Sequence, residues 1–372
     1  MSSRILLHVE DPGAANVVAP LVVPLREAGH HVTFLADSSV AEFLTARGYQ
    51  HDGPGDEPAH ALDSVVPDLV LAGTSENSEG SSLAMIEAAR ARAIPSVAAI
   101  DMLANADRRF RGLSDDPLHH APDWLAVPDS PTAKVYERLG FRPDRITICG
   151  HPHYDIVRAR RRAMDDETTA LLRARLAPGL KLGQPLVVFL AEAVSRLNPL
   201  ASRIAPGSDF VGSGTSDDRT TVILEAVLDT LEGMEARPHF VLRLHPKNQA
   251  GDYGALRDRI DAVSHGGDPL DLITCADLVI GMTTFLLVEA CLLEKPTLSV
   301  LPDIKEAAWL PTTAGGATPV ATTGEDLKRM LLSFLGSAGK TVERCDELLP
   351  SGATQRYLGL VAHLLRPEAA TA

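Results

Sequence analysis

Short apolar runs alternate with amphipathic stretches along almost the whole length of the 372-residue chain. A run that is apolar on both faces is typical of a strand buried in a parallel sheet, and the amphipathic stretches indicate the helices that cover it. The pattern predicts strands at residues 5–9, 32–36, 68–72, 96–100, 124–128 and 146–149, and then at 186–190, 240–244, 278–281 and 297–300. It predicts helices at 15–28, 39–47, 81–93, 132–139, 155–176, 220–232, 252–262, 285–293, 325–334 and 354–365.

A charged helix and a turn rich in Pro and Gly, at residues 155–185, divide these elements into two series. We therefore predict an α/β protein with two Rossmann-like parallel-sheet domains facing across a cleft, and a domain boundary near residues 150–180. Open parallel sheets bind ligands outside the carboxyl ends of their strands, so the residues that follow each strand are the candidates for function. Residues 199–218 are rich in Gly, Ser and Asp without a period, which indicates either a mobile loop beside the site or a surface insertion.

Composition and charge exclude several classes of protein. The chain is 45% hydrophobic and 23% charged, which is typical of a globular protein, and its net charge of −14 argues against a nucleic-acid partner. No apolar run reaches the roughly 18 residues of a membrane-spanning helix, and the N-terminus indicates a first strand instead of a secretory signal. The four cysteines show no CxxC spacing, so we predict reduced core residues of a cytoplasmic protein. The adjacent pair His119 and His120 has no further ligand at metal-binding spacing and is interpreted as solvated surface.

The segment DLVIGMTTFLLVEACLLEKP begins as a buried strand and continues as an apolar helix. Gly281 permits a close backbone approach, and Thr283 and Thr284, which follow Met282, are predicted to cap the helix. Free N–H groups at a helix start suit a phosphate, and the carboxylate of Glu289 can accept both hydroxyls of a ribose. The alternative is a capped core helix with one polar residue at its edge.

The motif RLHPKN lies where another predicted strand ends. The guanidinium of Arg243 and the imidazole of His245, if its pKa is raised, can bind a diphosphate. The alternative is that His245 only starts a turn and that Lys247 is a solvated charge.

The turn between the first strand and the first helix contains Asp11, Pro12, Gly13 and Ala14. It lacks the GxGxxG pattern of dinucleotide-binding folds. Its small residues either let a substrate lie against the turn and the helix start, or serve the turn alone.

Other chemically active side chains also follow predicted strands. Asp101 follows SVAAI and precedes the two arginines of MLANADRRF, and Glu192 follows LVVFLA. A carboxylate at a strand end is a candidate general base. Each of them can instead cap a helix or pair with an arginine, and the same alternative holds for His151 and His153 in GHPHYD.

In their order and spacing these motifs resemble those of the two-domain nucleotide-sugar enzymes of the glycosyltransferase-B fold (GT-B fold). The chain is most similar to the non-hydrolysing UDP-N-acetylglucosamine 2-epimerases and the CDP-glycerol transferase-like proteins. The resemblance covers nearly the full length, through the loosely matching segments NVVAPLVVPL, ITICGHPHYD, RLHPKN and GMTTFLLVEACLLEKP. It implies an acceptor-side domain at residues 1–155, a nucleotide-sugar-binding domain at 156–352, and a C-terminal helix at 353–372 that crosses back to the first domain before a frayed tail.

The resemblance also implies where the donor binds. It assigns Arg243, His245, Thr283 and Thr284 to the diphosphate and Glu289 to the ribose of a nucleotide sugar. No Asp-x-Asp stands at a strand end to hold magnesium against a diphosphate, so we expect no obligatory metal or other cofactor. The resemblance allows a homodimer.

The chain departs from the epimerases at the chemistry. Their Gly-Asp-Thr-type turn is replaced by a turn with Thr74 at its centre. We assign Thr74 to the sugar and acceptor cleft, together with the turn that contains Asp11 and with His151 and His153. Epimerisation by elimination and re-addition needs acid and base groups on two sides of the sugar, whereas an inverting transfer needs one base.

We therefore predict an inverting glycosyltransferase that moves a sugar from a nucleotide diphosphate sugar to a hydroxyl or thiol of a small-molecule acceptor, in secondary-metabolite biosynthesis. Asp101 is the expected base and Glu192 the alternative one, with domain closure and residues 199–218 as a lid. The alternatives are a UDP-N-acetylglucosamine 2-epimerase-like isomerase and a non-catalytic nucleotide-sugar binder.

Overall fold

The chain divides into two compact units, which we describe from a computed structural model. Unit 1 comprises Met1–Ile156 and Leu349–Ala372, and unit 2 comprises Val157–Leu348. The structure describes residues 2–53, 57–193, 203–204, 206–212, 216–336, 345 and 348–366. The predicted loop at 199–218 lies partly outside the described residues, so its mobility and its role as a lid stay predictions. Each unit contains a six-stranded parallel sheet, which confirms the prediction of two Rossmann-like parallel-sheet domains.

The sheet of unit 1 has the strand order β2-β1-β3-β4-β5-β6, and every pairing in it is parallel. Its strands are β1 (Arg4–Val9), β2 (His31–Ala36), β3 (Leu69–Gly73), β4 (Ser96–Ala99), β5 (Trp124–Val127) and β6 (Ile146–Ile148). Successive residues of β3 enter different hydrophobic clusters, with Leu69 and Leu71 in one and Val70 in another. Both faces of this strand are therefore covered, as the apolar run in the sequence predicts.

The helices of unit 1 cover this sheet. They are α1 (Pro12–Val18), α2 (Val22–Glu27), α3 (Ser38–Ala46), α4 (Pro58–Val65), α5 (Ser81–Ala91) and α6 (Ser130–Arg138). The prediction of one continuous helix at 15–28 is wrong, because a 3-10 turn at Ala19–Leu21 separates α1 from α2. Pro20 lies in this turn and Pro24 in the first turn of α2, where the missing proline N–H removes no intrahelical bond.

The sheet of unit 2 has the order β12-β11-β10-β7-β8-β9 and is also parallel. Its strands are β7 (Leu186–Leu190), β8 (His239–Arg243), β9 (Ala262–Ser264), β10 (Leu278–Gly281), β11 (Thr297–Val300) and β12 (Val320–Ala321). The sequence predicts the four central strands but misses β9 and β12. These edge strands have three and two residues, too few to show a pattern.

The remaining helices lie mainly in unit 2. They are α7 (Pro152–Ala163), which spans the division between the units, α8 (Asp166–Leu176), α9 (Arg219–Glu232), α10 (Pro269–Cys275), α11 (Leu286–Leu292), α12 (Pro311–Ala314) and α13 (Gly324–Gly336). The predicted helix 155–176 is thus two helices, since Asp165 caps the start of α8. The predicted helix 252–262 is replaced by a 3-10 segment at Ala250–Arg259, in which Gly254 has a φ of 49°, and by β9. None of the helices described here is long and apolar enough to cross a membrane.

The last helix, α14 (Ala353–Leu364), belongs to unit 1. Its residues Tyr357 and Leu360 enter the hydrophobic cluster that β1 and α1 also form. The carboxylate of Asp155 accepts two N–H groups at the start of α14, at 2.8 and 3.1 Å. Arg356 Nε donates to the carbonyl of Cys149 at 2.9 Å. Apolar packing and these polar contacts together hold the C-terminal helix in the first unit.

The close packing of α1 on β3 generates a prediction about two glycines of unit 1. A Cβ at Gly73 would lie 2.4 Å from the Cβ of Ala14, whereas a Cβ at Gly359 in α14 would have nothing within 4 Å. We expect Gly73→Ala to lower the free energy of unfolding by about 1–3 kcal/mol, because α1 must shift. We expect Gly359→Ala to leave it unchanged or raise it by about 0.5–1 kcal/mol, because alanine favours the helix. Chemical denaturation measures both, and equal stabilities of the two variants would contradict the packing.

Candidate functional site

The candidate residues follow parallel strands in each unit. In unit 1, Asp11 follows β1, Thr74 follows β3 and Asp101 follows β4, while in unit 2 Glu192 follows β7 and Thr283 follows β10. Parallel strands end on the same side of a sheet, so residues that follow neighbouring strands lie close together. We call the residues at the carboxyl ends of the strands of unit 1 the unit 1 edge: Glu10, Asp11, Pro12, Gly13, Ala14, Thr74, Asp101 and Arg109. The corresponding unit 2 edge consists of Glu192, Arg219, His245, Thr283 and Glu306.

The turn from β1 into α1 brings two carboxyl groups to one glycine. Asp11 is the N-cap of α1, and its Oδ1 accepts the N–H of Ala14 at 2.7 Å. A Cβ on Gly13 would lie 2.5 Å from Asp101 Oδ2 and 3.3 Å from Asp11 Oδ1. Glycine is therefore required here for the close approach of both carboxyls. Pro12 occupies the first turn of the helix, where proline is favoured.

A buried arginine holds Asp101 in place. Arg109 NH1 lies 2.7 Å from Asp101 Oδ1 and donates to Thr74 Oγ1 at 2.9 Å. Its Nε donates to the carbonyl of Ala104 at 3.2 Å, and only 5% of the residue is exposed. The sequence places two arginines near Asp101, and the structure assigns the ion pair to the second of them. Thr74, which follows β3, binds the same guanidinium.

Asp11 has a different electrostatic environment from Asp101. Burial raises the pKa of Asp11 to about 6, the N–H of Ala14 opposes this increase, and the nearby charge of Asp101 adds to it. Asp11 can therefore exchange a proton near neutral pH, while Asp101 is paired with Arg109. The sequence analysis places Asp11 in the substrate cleft but gives it no acid–base role, because the burial that raises its pKa cannot be read from the sequence.

Glu10 is a polar residue that the sequence analysis misses. Its carboxylate accepts bonds from the hydroxyls of Ser75 and Ser81 and from the N–H of Ser82, the last two at 3.0 and 2.9 Å. A Cβ on Gly80 would lie 2.4 Å from this carboxylate, so α5 begins directly against it. Glu10 joins the ends of β1 and β3 to α5. A carboxylate directly after a buried strand is the signal that could have identified it.

His151 and His153 lie after β6, the strand at the border of the sheet. Two strand positions, roughly 10 Å, separate β6 from β4, which carries Asp101. Burial, and then the charge of His153, lower the pKa of His151 to about 3. His151 is therefore neutral at physiological pH, and its ring stacks on Tyr154 with centroids 4.4 Å apart. These contacts favour a packing role over proton transfer for His151.

In unit 2 the carboxylate of Glu192 accepts hydrogen bonds from both donor groups of Thr283. Glu192 Oε1 accepts the N–H of Thr283 at 2.6 Å and its hydroxyl at 2.7 Å. Arg219 NH2 lies 3.8 Å from Glu192 Oε2 and also binds Glu306. Burial raises the pKa of Glu306, and the charge of Arg219 opposes this increase. Asn248, which is 1% exposed, fixes the same segment by donating to the carbonyl of Glu192 at 2.7 Å.

The helix after β10 differs from the prediction in length and in its cap. α11 has seven residues and begins at Leu286, with Phe285 at the N-cap position and no side-chain cap. The prediction that Thr283 caps this helix is wrong, because Phe285 occupies the N-cap position, and the N–H and hydroxyl of Thr283 donate to Glu192 instead. Thr284 Oγ1 accepts only a long bond, 3.4 Å, from the N–H of Leu286. A helix this short contributes little dipole, so the affinity of this turn for an anion depends on its individual N–H and O–H donors.

Gly281 and its neighbours hold the turn close to the strand. A Cβ on Gly281 would lie 3.1 Å from Thr284 Cγ2 and 3.2 Å from Leu287, which explains the glycine by close approach. Met282 is fully buried, and its carbonyl accepts the hydroxyl of Ser299 at 2.7 Å. Glu289 lies inside α11 and is 4% exposed.

Arg243 bonds to protein groups at the end of β9 and beyond it, and the pKa of His245 shifts in the direction opposite to the expected one. Arg243 NH1 donates to Ser264 Oγ at 3.0 Å and to the carbonyl of Gly266, and its NH2 donates to the carbonyl of Gly267 at 3.0 Å. The guanidinium therefore fixes the turn after β9. The expectation of a raised pKa for His245 is wrong: burial, and then the charge of Lys247, lower it.

The chain resembles several solved protein structures over nearly its whole length. No family model and no curated protein matches the chain. A UDP co-structure of S. aureus MnaA matches 98% of this chain and 97% of its own, with a TM-score of 0.68 and 14% identity. The UDP-GlcNAc 2-epimerase from Methanocaldococcus jannaschii matches 97% and 99%, with a TM-score of 0.68 and 12% identity. The glycotransferase of kitacinnamycin matches 98% and 99%, with a TM-score of 0.58 and 15% identity. The chain has the GT-B fold, as its motifs predict.

The raised pKa of Asp11 predicts how stability depends on pH. The value is about 6 in the folded chain against 3.8 for an ordinary aspartate, so the folded chain binds this proton more tightly. The resulting stabilisation is present below about pH 4 and is lost as the pH rises through about 6. Asp11→Asn keeps a cap oxygen for Ala14 and removes the charge. We expect it to exceed the wild type in stability by roughly 1–3 kcal/mol near pH 7.5 and to equal it near pH 4. A difference independent of pH, measured by denaturation at both values, would contradict the buried charge.

Proposed function

We propose that this GT-B-fold chain is an enzyme of nucleotide sugars and that it isomerises a UDP-N-acetylhexosamine at C2. The observation that carries the proposal is the pair of carboxyls, Asp11 and Asp101, that flank Gly13 in different environments. Two of the structures that this chain resembles support the substrate class: one contains UDP, and the other is a UDP-GlcNAc 2-epimerase.

The reaction proceeds by elimination and re-addition. A carboxylate takes the C2 proton while the C1–O bond to UDP breaks, which leaves a glycal and UDP. A carboxylic acid then returns a proton to the opposite face of C2, and a diphosphate oxygen adds again to C1. One ionised and one protonated carboxyl are therefore needed in the same cycle. We assign the ionised role to Asp101, which Arg109 pairs, and the role of proton carrier to Asp11, whose pKa is raised to about 6.

The carboxyl pair favours isomerisation over the transfer that the sequence predicts. That prediction rests on the loss of an acidic residue at the position of Thr74. Asp11 compensates for the loss, because a second carboxyl lies beside Asp101 after all.

The unit 2 edge is proposed to hold the nucleoside diphosphate. The N–H and hydroxyl of Thr283 bind a carboxylate oxygen of Glu192, which carries the same kind of charge as a phosphate oxygen. A diphosphate can take this position when Glu192 turns towards Arg219, whose guanidinium lies 3.8 Å away. Glu289 is proposed for the ribose on the strength of the family resemblance. Protein donors and Arg219 supply the positive charge, so no metal is required in this proposal.

Sugar transfer to a hydroxyl or thiol of a small molecule is the second candidate. The similarity to the glycotransferase of kitacinnamycin favours it, and Asp101 would then act as the base for the acceptor. Glu192 is the alternative base for that reaction.

The proposal predicts incorporation of solvent deuterium at C2. We expect UDP-N-acetylglucosamine, incubated with the enzyme and EDTA in D2O, to lose its C2 proton signal in NMR spectra and to yield the manno epimer with deuterium at C2. The reason is that a carboxyl proton exchanges with solvent between the two steps. A transferase would leave C2 protonated and would release UDP only with an acceptor present.

Variants test the assigned groups in the same assay. Asp101→Asn and Asp11→Asn should each lower the exchange rate by roughly 10²–10⁴-fold. Asp144→Asn is the matched control, because Asp144 pairs with Arg142 on the surface of the same unit and its side chain is 62% exposed. Exchange at the wild-type rate in both Asp101→Asn and Asp11→Asn would refute the carboxyl assignment. An absence of exchange in the wild type, together with UDP release in a panel of alcohols and thiols, would establish the transferase alternative instead.

A further inference from the structure

Three side chains of ligand type converge outside the unit 1 edge. Glu87, His119 and His120 each offer one donor atom, and these three atoms all lie within 4.8 Å of one another. Glu87 Oε1 is 2.7 Å from His120 Nδ1. The two imidazole rings meet edge to face with centroids 4.6 Å apart. Glu87 comes from α5 and is distant in sequence, which is why the histidine pair alone is interpreted as solvated surface.

The backbone fixes the orientation of the second histidine. The N–H of His120 donates to the carbonyl of the buried Phe110 at 2.8 Å, and the N–H of His119 donates to the carbonyl of Asp116 at 3.3 Å. Gly112 has a φ of 58°, and a Cβ there would lie 2.4 Å from His120 Nε2. The Nε2 side of the ring therefore lies against the glycine, and Nδ1 is directed towards Glu87. This arrangement preorganises one ligand, whereas Glu87 and His119 are exposed at the surface.

The donor set suits a transition metal. Two imidazoles and one carboxylate form a three-ligand zinc site, with a fourth position for water. Zinc holds such atoms at about 2.0–2.2 Å, which places tetrahedral ligand atoms roughly 3.4 Å apart. Glu87 Oε1 and His120 Nδ1, now 2.7 Å apart, must therefore separate slightly, while the wider donor distances, which reach at most 4.8 Å, must shorten. Calcium and magnesium prefer oxygen ligands and are a poorer match. Arg90 follows Glu87 by one helical turn and donates to the carbonyl of Ala121 at 2.5 Å, so its charge opposes a bound cation and limits the affinity.

We propose that Glu87, His119 and His120 bind a divalent transition metal, with Zn²⁺ as the best match, and that this metal fastens the segment after Asp101 to α5. That segment contains Arg109, the partner of Asp101 and Thr74. The metal would link the end of this segment, at His119 and His120, to α5, the helix whose first residues bond to Glu10. Its role is structural, and the proposal is independent of which nucleotide-sugar reaction the chain performs.

Metal titration of the tag-free, chelator-treated chain tests this site. We expect calorimetry to show one equivalent of Zn²⁺, and Co²⁺ to develop visible absorption bands that Zn²⁺ abolishes. His119→Ala and Glu87→Gln should each weaken binding at least about tenfold, since each removes one of three ligands. His31→Ala is the control, because His31 is an exposed histidine of the same unit outside the cluster, and it should bind as the wild type does. Saturating Zn²⁺ should raise the thermal midpoint of the wild type and of His31→Ala by several degrees, and leave both ligand variants unchanged.

Two results would overturn the proposal. One is a wild-type chain that shows no saturable Zn²⁺ or Co²⁺ binding. The other is binding of equal strength in wild type, His119→Ala and Glu87→Gln, which would place the metal elsewhere. Equal thermal midpoints of all four proteins in chelator would show that the substitutions leave the fold intact, as the exposure of Glu87 and His119 predicts.

Discussion

Two buried guanidinium groups, those of Arg109 and Arg219, fix the ends of the parallel strands from which both edges are built. They are 5% and 7% exposed. Arg109 pairs with Asp101, which follows β4, and Arg219 pairs with Glu192, which follows β7, and with Glu306. A buried charge that loses its partner destabilises a protein by several kcal/mol, about 3–5 in measured cases. Because the strands are apolar on both faces, the strand ends are the part of each sheet where such charges can be placed. The same constraint that shapes the sheets therefore concentrates the polar chemistry at their carboxyl ends.

The pairing of each arginine determines what the neighbouring carboxyls can do. In unit 1 Arg109 pairs with Asp101, whereas the partial burial of Asp11 raises its pKa to about 6 against the opposing effect of its bond to the N–H of Ala14. Two carboxyls beside one glycine thus have different partners, and Asp11 is the one whose raised pKa suits it to carry a proton. In unit 2 the N–H and the hydroxyl of Thr283 both donate to one carboxylate oxygen of Glu192, so these donors are arranged to bind an oxygen of that kind.

The sequence predicts the sheets well because a strand covered on both faces needs a continuous apolar run. It misses β9 and β12, whose few residues give no pattern, and it joins elements that Pro20 and Asp165 separate. It places Asp101 and Glu192 at strand ends, because that position follows from the end of an apolar run. It does not identify Arg219 or the pKa of Asp11, since both depend on contacts and burial between residues far apart in the chain. It does not bring Glu87 together with His119 and His120 for the same reason.

The claim that unit 2 holds a nucleoside diphosphate through protein donors is tested most directly by amide hydrogen exchange with UDP in the presence of EDTA. Saturating UDP should slow exchange in peptides that cover residues 187–193, 243–248 and 278–289, because the ligand would order the ends of β7, β8 and β10. Uridine, which lacks the diphosphate, should protect these peptides far less. Unchanged exchange at saturating UDP, or protection confined to peptides outside these three, would contradict the account.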